Sequence, residues 1–218
     1  MTHNLAQCQI LVRKAVAAGA KALFLPEATD YIAPTPSETI SLVRSTTDSP
    51  FVLGLQKSAH EAHLPIHVGI HEPTTEGNRV KNTLIWINEK GEISHRYQKL
   101  HLFDVEIENG PVLRESKSVE PGSAILPPFH TPVGKVASMI CFDLRFPTLS
   151  TRLRDQGAQI LTYPSAFTVP TGKVHWDVLL RARAIETQSY VIAAAQVGRH
   201  GGGRGEEGDA VGGEEGCC

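Results

Sequence analysis

The chain has no long hydrophobic run and no surplus of positive charge. None of its 218 residues lies in a stretch that approaches the roughly 18 to 20 apolar residues needed to span a bilayer, and the amino terminus lacks a secretory signal pattern. The formal net charge is −2, with Lys and Arg scattered along the chain, which gives little support to nucleic-acid binding. We therefore expect a cytosolic protein, with a mitochondrial form as the alternative, that binds neither membranes nor nucleic acids.

Disulfide, metal and nucleotide motifs are also missing. The chain has four cysteines, and two of them are adjacent at Cys217 and Cys218, so they do not form a disulfide framework. His60 and His63 are one residue short of the spacing of a zinc-binding HExxH helix, and no Cys-x-x-Cys occurs. The segment that begins at Thr171 lacks the upstream glycine of a phosphate loop. We expect no metal site and no cofactor.

What remains is the composition of a globular protein with an unusual end. With 41% hydrophobic residues, the chain can bury one substantial core, and nothing indicates a repeat or a second domain. Residues 201–216 break this pattern, because eight of the sixteen are glycine and no apolar periodicity remains. We predict one domain over residues 1–200 and a disordered Gly/Glu-rich tail over residues 201–218.

Hydrophobic periodicity predicts an α/β layer protein. The predicted order is helix, strand, two helices, strand, hairpin, long loop, hairpin, helix, strand, helix and strand. The best-defined elements are a one-sided helix over residues 3–18, a hairpin over residues 80–87 and 93–98, a helix over residues 147–155, a strand over residues 159–163, a helix over residues 176–188 and a strand over residues 191–195.

Cys141 stands where a short apolar run breaks off into a polar turn, which Pro147 prevents from continuing as a strand. Open α/β folds place reacting groups at such a strand end. A free cysteine is, however, usually a small buried hydrophobe. It becomes a nucleophile only if a base lies nearby.

Two charged residues that follow apolar strands could supply the chemistry. Glu27 follows a short buried strand, and Lys99 closes the second arm of the hairpin. If the three strand ends meet, Glu27 can act as general base, Cys141 can attack a carbonyl or nitrile carbon, and Lys99 with the Phe142 backbone N–H can hold the oxyanion. Taken alone, such a Glu is more often a cap or a solvated charge, and such a Lys more often guards a strand edge.

Three motifs resemble those of the nitrilase superfamily of carbon–nitrogen hydrolases. They are residues 24–28 (Phe-Leu-Pro-Glu-Ala), 97–104 (Tyr-Gln-Lys-Leu-His-Leu-Phe-Asp) and 140–147 (Ile-Cys-Phe-Asp-Leu-Arg-Phe-Pro). They follow the family's order, and the Glu, Lys and Cys at their centres are 72 and 42 residues apart, as in the family. Three long motifs in register are far more specific than one short pattern.

The resemblance extends the set of site residues. It implies a second glutamate beside the lysine, and the matching position is Glu115. Phe167 and Thr171 match positions that line the family's substrate pocket. Arg145 has the planar fork that suits a substrate carboxylate. A structural ion pair between Arg145 and Asp143 is an equally good explanation of that arginine.

Within the superfamily, residues 163–167, 171–172, 175–176 and 180–196 resemble the Nit branch. The branch implies an amidase that acts on a small amide of the deaminated-glutathione type through a Cys thioester. An ω-amidase for short keto-acid amides is the second interpretation, and a nitrilase or an inactive scaffold on the same fold are further ones.

The fold implied by the resemblance is the α-β-β-α sandwich of the nitrilase fold, which usually forms a homodimer through its helical faces. Family members begin with a strand before the first helix and continue beyond the position of residue 200. We therefore expect this chain to lack the first strand and the C-terminal segment. A shifted reading frame or retained intron after residue 200, and a start placed too far downstream, are our hypothesis for this difference.

Overall fold

The computed structural model describes residues 1–106, 112–199 and 209–210. Within these ranges there are five α-helices, namely α1 (Thr2–Ala17), α2 (Pro36–Leu42), α3 (Pro50–Ala62), α4 (Pro147–Asp155) and α5 (Val169–Thr187). The strands of the same ranges are β1 (Leu23–Phe24), β2 (Ile66–Pro73), β3 (Val80–Ile87), β4 (Ile93–Gln98), β5 (Asp104–Glu106), β6 (Val112–Arg114), β7 (Val119–Glu120), β8 (Phe129–Thr131), β9 (Gly134–Ser138), β10 (Ile160–Thr162), β11 (Tyr190–Ile192), β12 (Gly198–Arg199) and β13 (Asp209–Ala210). Two 3₁₀ turns span Glu115–Lys117 and Cys141–Arg145.

The strands form two main sheets. The first has the order β1-β2-β3-β4, with β7 beside the start of β3, and the second has the order β11-β10-β9-β8. In the first sheet β1 runs parallel to β2, and the β2, β3 and β4 neighbours are antiparallel. In the second sheet β9, β10 and β11 are parallel. Parallel neighbours need crossover connections, and α4 and α5 provide them.

The two sheets lie between two layers of helices. Residues of α1 and α3, among them Val12, Phe51 and Leu55, pack on the outer face of the first sheet. Leu149 and Leu153 of α4 pack with the second sheet, as do Trp176, Leu179 and Leu180 of α5. Aromatic and aliphatic side chains of both sheets fill the space between them. The α-β-β-α sandwich expected from the sequence is therefore confirmed.

Strands β2 and β3 of the first sheet are buried on both faces, because helices cover one face and the second sheet covers the other. Ile66, Val68 and Ile70 alternate toward the helices. His67 points the other way, and its Nε2 lies 3.0 Å from Ser138 Oγ in the second sheet. Burial lowers the pKa of His67 to about 3, so this histidine is a neutral hydrogen-bonding link between the sheets.

The hairpin of β3 and β4 and the helix α4 have the bounds predicted from the sequence. The start of α5 was predicted wrongly, since the helix begins at Val169 rather than near Trp176. Pro170 and Gly172 weaken the sequence signal for a helix there, but proline is tolerated in a first helical turn. The predicted long loop before β8 contains the short strands β5, β6 and β7.

The predictions for the end of the chain fall largely outside the described residues. Residues 201–208 and 211–218 belong to that part, and so do Cys217 and Cys218. Asp209–Ala210 pairs antiparallel with Gly198–Arg199. The disordered tail thus stays a prediction. No helix of the described ranges is both long and apolar enough to cross a membrane.

Candidate active site

Cys141 opens the 3₁₀ turn that follows β9. Its backbone has φ of 44°, in the left-handed region that a residue with a Cβ rarely adopts. Its N–H donates to the Pro164 carbonyl at 3.0 Å, which anchors the turn to the segment after β10. The side chain is 7% exposed. The thiol is therefore presented from a sharp, fixed turn at the end of a core strand.

Glu27 lies three residues after β1, in a loop held tightly against β2. Gly69 permits this approach, since a Cβ at residue 69 would lie 2.4 Å from the Glu27 Cα. Glu27 is 5% exposed. It accepts hydrogen bonds from Asn82 Nδ2 at 3.0 Å, Lys99 Nζ at 3.3 Å and the Ala166 N–H at 2.9 Å. Three donors from three different segments therefore fix its orientation.

Lys99 directly follows β4 and is 2% exposed. Its Nζ donates to both Glu115 oxygens, at 3.1 and 3.0 Å, and to Glu27. Glu115 begins a 3₁₀ turn and also accepts the Phe103 N–H at 2.6 Å. The structure thus brings the two predicted carboxylates to opposite sides of one buried ammonium.

The charges of this cluster determine the ionisation of its members. Burial opposes the charge of Lys99, but the carboxylates of Glu115 and Glu27 outweigh it, so the pKa of Lys99 lies well above its ordinary value. Burial and the Glu27 carboxylate raise the pKa of the Cys141 thiol, although Lys99 acts in the opposite direction. In the resting site the lysine is charged and the sulfur carries its proton.

A small cavity opens at Cys141. Its wall includes the four predicted substrate-binding residues, Phe142, Arg145, Phe167 and Thr171. Phe103, Ala166 and Thr168 complete the lining. The early start of α5 explains the position of Thr171, because it places this residue in the first turn of the helix beside Phe167. The predicted nucleophile and the predicted pocket residues therefore share one space.

The structural ion pair between Arg145 and Asp143 does not form. Both Asp143 oxygens accept hydrogen bonds from other groups. Among the donors are the Tyr97 hydroxyl and the backbone N–H groups of Ile140 and His101. Arg145 instead donates from its Nη2 to His175 Nδ1 at 3.0 Å. Its Nε is buried without a hydrogen-bond partner. The guanidinium therefore keeps unused donor capacity beside the cavity.

Sequence reasoning missed Asn82, whose amide donates to Glu27 at 3.0 Å and to Glu115 at 3.3 Å. This residue lies between the like charges of the two carboxylates. A signal was available, because Asn82 interrupts the apolar strand β3 on its inter-sheet face, and a buried polar side chain needs a partner.

His60 and His63 are exposed at the end of α3, and the described residues hold no cluster of three metal-ligating side chains.

Comparison with known proteins places this arrangement in a family. The carbon–nitrogen hydrolase family profile matches residues 1–212. Among known sequences, the chain is 50% identical over 198 residues to the probable hydrolase nit2 of Schizosaccharomyces pombe, covering 90% of this chain and 72% of that protein. It is 46% identical over 202 residues to the deaminated glutathione amidase of Rattus norvegicus, covering 91% of this chain and 62% of that protein.

Solved structures of the same superfamily have the fold of this chain. The Caenorhabditis elegans NitFhit protein matches with a TM-score of 0.88 and 36% identity, over 96% of this chain and 50% of that one. Saccharomyces cerevisiae Nit3, a member of branch 10 of the nitrilase superfamily, matches with a TM-score of 0.76 and 27% identity, over 90% and 70%. The fold is that of the nitrilase superfamily. This chain belongs to the carbon–nitrogen hydrolase family, in its Nit branch, and spans about 60 to 70% of the length of the sequence relatives named above.

Proposed function

We propose that this protein is a cysteine-dependent amidase that hydrolyses a small amide to a carboxylate and ammonia. The observation that carries the proposal is the convergence of Glu27, Lys99, Glu115 and Cys141 from four separate segments around one buried ammonium, beside the mouth of a cavity. Membership of the carbon–nitrogen hydrolase family supports it. The names of the amidase relatives support it as well.

In the first half of the proposed cycle, Cys141 is acylated. Because burial and Glu27 raise the pKa of the thiol, Glu27 accepts the proton as the sulfur attacks the amide carbon. The charged Lys99 and the Phe142 backbone N–H stabilise the negative oxygen of the tetrahedral intermediate. Glu27 then passes the proton to the leaving nitrogen, so ammonia departs and a thioester remains.

In the second half, water releases the acid. Glu27 takes a proton from the water as it attacks the thioester carbon, and the same oxyanion donors act again. The C–S bond breaks, the sulfur regains its proton and the carboxylic acid leaves. Glu115 keeps Lys99 charged throughout both steps, and the cycle requires no cofactor.

A small amide of the deaminated-glutathione type is the substrate we propose. Relatives from rat, mouse and human carry the name deaminated glutathione amidase at 45 to 46% identity. Arg145, with its unpaired Nε at the cavity, suits a carboxylate on such a substrate. An ω-amidase for short keto-acid amides is the alternative, and the same arginine would serve a keto-acid carboxylate. Comparing kcat/KM for the two substrates decides between them.

Cys141→Ala tests the reaction. The variant removes the thiol that we propose forms the thioester, so we expect ammonia release from the amide to be lost. The matched control is Cys8→Ala, which removes the other buried free thiol of the described residues, in the helix layer. No ammonia release by the wild type would contradict the amidase and favour a scaffold protein, and equal release by wild type and Cys141→Ala would remove Cys141 from the role of nucleophile. Turnover of a nitrile in preference to its amide would favour a nitrilase.

We also propose that the protein works as a homodimer in the cytoplasm. Val174, Val178 and Ile185 are 64, 67 and 69% exposed and lie on one face of α5, which is the kind of apolar stripe that a symmetric partner covers. A reducing compartment keeps the Cys141 thiol available. Sedimentation should give the mass of two chains, and Val178→Asp should shift it to one.

A further inference from the structure

Asp143 is a carboxylate with no exposed surface that accepts four hydrogen bonds. Its Oδ2 accepts from Tyr97 Oη at 2.7 Å and from the Ile140 N–H at 3.0 Å. Its Oδ1 accepts from the His101 N–H at 3.1 Å and from His101 Nδ1 at 2.7 Å. A buried carboxylate is costly unless donors surround it. Here the donors fall into two groups on two segments of the chain.

Those two segments carry the proposed nucleophile and the proposed oxyanion donor. Ile140 directly precedes Cys141, and Tyr97 and His101 flank Lys99 at two residues on either side. One carboxylate therefore ties the turn that presents the sulfur to the turn that presents the ammonium. Cys141 and Lys99 interact electrostatically across the site. Among the described contacts, no hydrogen bond joins them directly.

The turn at Cys141 needs such support. A residue with a Cβ at φ of 44° is strained, and strain of this kind persists only where the surroundings hold it in place. Asp143 holds it from two sides, since its own N–H donates to the Ile140 carbonyl at 2.9 Å while its carboxylate accepts the Ile140 N–H. These two contacts close the 3₁₀ turn directly around the nucleophile.

We propose that Asp143 is a positioning residue that fixes the sulfur of Cys141 relative to the ammonium of Lys99. The proposal rests on the proposed function for the roles of those two residues. Asp143 does not touch the cavity, so it acts through the two turns. Its role is separate from that of the Glu27, Lys99 and Glu115 cluster, with which it shares no hydrogen bond in the described part of the chain.

Asp143→Asn weakens the link between the two turns while keeping the shape of the side chain. An amide has one oxygen and one NH₂ group, whereas the site presents backbone N–H donors to both carboxylate oxygens. If the NH₂ group replaces Oδ1, the two bonds from His101 are lost and Tyr97 alone still joins the Lys99 segment to the side chain. If it replaces Oδ2, the Ile140 N–H loses its acceptor and the tie to the Cys141 turn is lost. In either orientation the sulfur and the ammonium are held to each other less firmly.

Steady-state kinetics on the amide substrate is the first measurement. A displacement of about 1 Å at a reacting atom costs about 100-fold in rate, so we expect kcat to fall by about that factor in Asp143→Asn. We expect KM to stay within about threefold, because the cavity wall is unchanged. Tyr97→Phe, which removes one donor and leaves the backbone ties, should lower kcat by about tenfold.

Tyr163→Phe is the matched control. It removes a buried phenol from the same core cluster as Tyr97, with a hydrogen bond to Ser150 rather than to Asp143. We expect it to lower the melting temperature as much as Tyr97→Phe does while leaving kcat unchanged. If Tyr97→Phe and Tyr163→Phe lose kcat equally, Asp143 has only a structural role. This pair decides the matter even if Asp143→Asn does not fold.

Alkylation of Cys141 by iodoacetamide gives a readout that needs no turnover. As long as Glu27 accepts the thiol proton, the alkylation rate of Cys141 changes little with pH. A thiol displaced from Glu27 must first lose its proton to solvent, so its alkylation rate rises about tenfold between pH 7 and 8. We expect the steep profile in Asp143→Asn and the flat one in wild type and Tyr163→Phe. A flat profile in Asp143→Asn would overturn the positioning role. A wild type with a flat profile but no amide turnover would instead contradict the proposed function alone.

Discussion

The buried ionic cluster and the wall of the cavity differ in how completely their polar groups are satisfied. Lys99 is 2% and Glu27 5% exposed, and each makes hydrogen bonds to two or more partners. On the wall, Arg145 is half-buried and its Nε has no partner. A cluster whose charged groups are all paired is pre-organised for one reaction, whereas a wall with an incompletely paired charged group is available to a ligand.

This difference separates the reaction from the choice of substrate. The groups that we propose for proton transfer and oxyanion binding are fixed before a substrate arrives, which is the condition for electrostatic stabilisation without reorganisation. The groups that would recognise the rest of the substrate lie at the open side, on α5 and on the turn after Cys141. Changes in the cluster should therefore lower kcat, and changes in the wall should alter the preference among substrates.

Glu27→Gln should have the largest effect on the cluster. It removes the proposed base, so we expect kcat to fall by about 10³- to 10⁴-fold. Because Asn82, Lys99 and the Ala166 N–H all donate to Glu27, one donor must face the new NH₂ group. We expect the free energy of unfolding to fall by about 1 to 3 kcal/mol. Ammonia release and urea unfolding measure the two effects.

The control for this variant is Glu186→Gln, at an exposed carboxylate that pairs with Arg183 at 2.9 Å. It should keep the wild-type kcat. An equal kcat in Glu27→Gln and Glu186→Gln would remove Glu27 from the role of base.

Gly69→Ala tests how tightly the cluster depends on its support. The new Cβ would lie 2.4 Å from the Glu27 Cα and 2.8 Å from the Pro26 carbonyl oxygen. Since these are backbone atoms, the Glu27 loop must move, and we expect kcat to fall by about 10- to 100-fold. We expect a loss of about 1 to 3 kcal/mol in the free energy of unfolding.

Gly54→Ala in α3 is the matched control for Gly69→Ala. Its Cβ meets the Leu5 side chain, at 2.5 Å from Cδ2, and a side-chain end can turn aside. We expect a wild-type kcat and a small change in stability, because alanine also favours a helix. If both variants keep the wild-type kcat, the Glu27 loop is not held by its contact with β2.

The sequence predicted more of this cluster than of its supports. The hairpin signal located Lys99, the short apolar strand located Glu27, and the break before Pro147 located Cys141, because each signal is local. Glu115 has no local signal and came from the resemblance alone. Asn82 and the partners of Asp143 depend on which sheet edges meet, and that is set by tertiary packing between segments 42 to 55 residues apart.

The wall was the least predictable part. Arg145 and Asp143 are two residues apart and of opposite charge, so an ion pair was a reasonable expectation. The chain forms a 3₁₀ turn there, and Asp143 faces the core while Arg145 faces α5. His175 could not be assigned to Arg145 from the sequence, because the predicted start of α5 near Trp176 left it outside the helix.

Arg145→Gln should have the smallest effect on the reaction itself, and it sharpens the comparison because it concerns the wall alone. If the guanidinium binds a substrate carboxylate, its loss should raise KM for a carboxylate-bearing amide by about 10- to 100-fold, the cost of a hydrogen bond to a charged group. For a neutral amide of similar size, we expect KM and kcat to stay within about twofold. The ratio of the two kcat/KM values is the measurement, since it cancels any general loss of activity.

Arg152→Gln, at an exposed position on α4, is the control for Arg145→Gln and should leave the ratio unchanged. Equal losses for both substrates would mean that Arg145 supports the turn after Cys141, and the distinction between a fixed cluster and a selective wall would then fail at this residue.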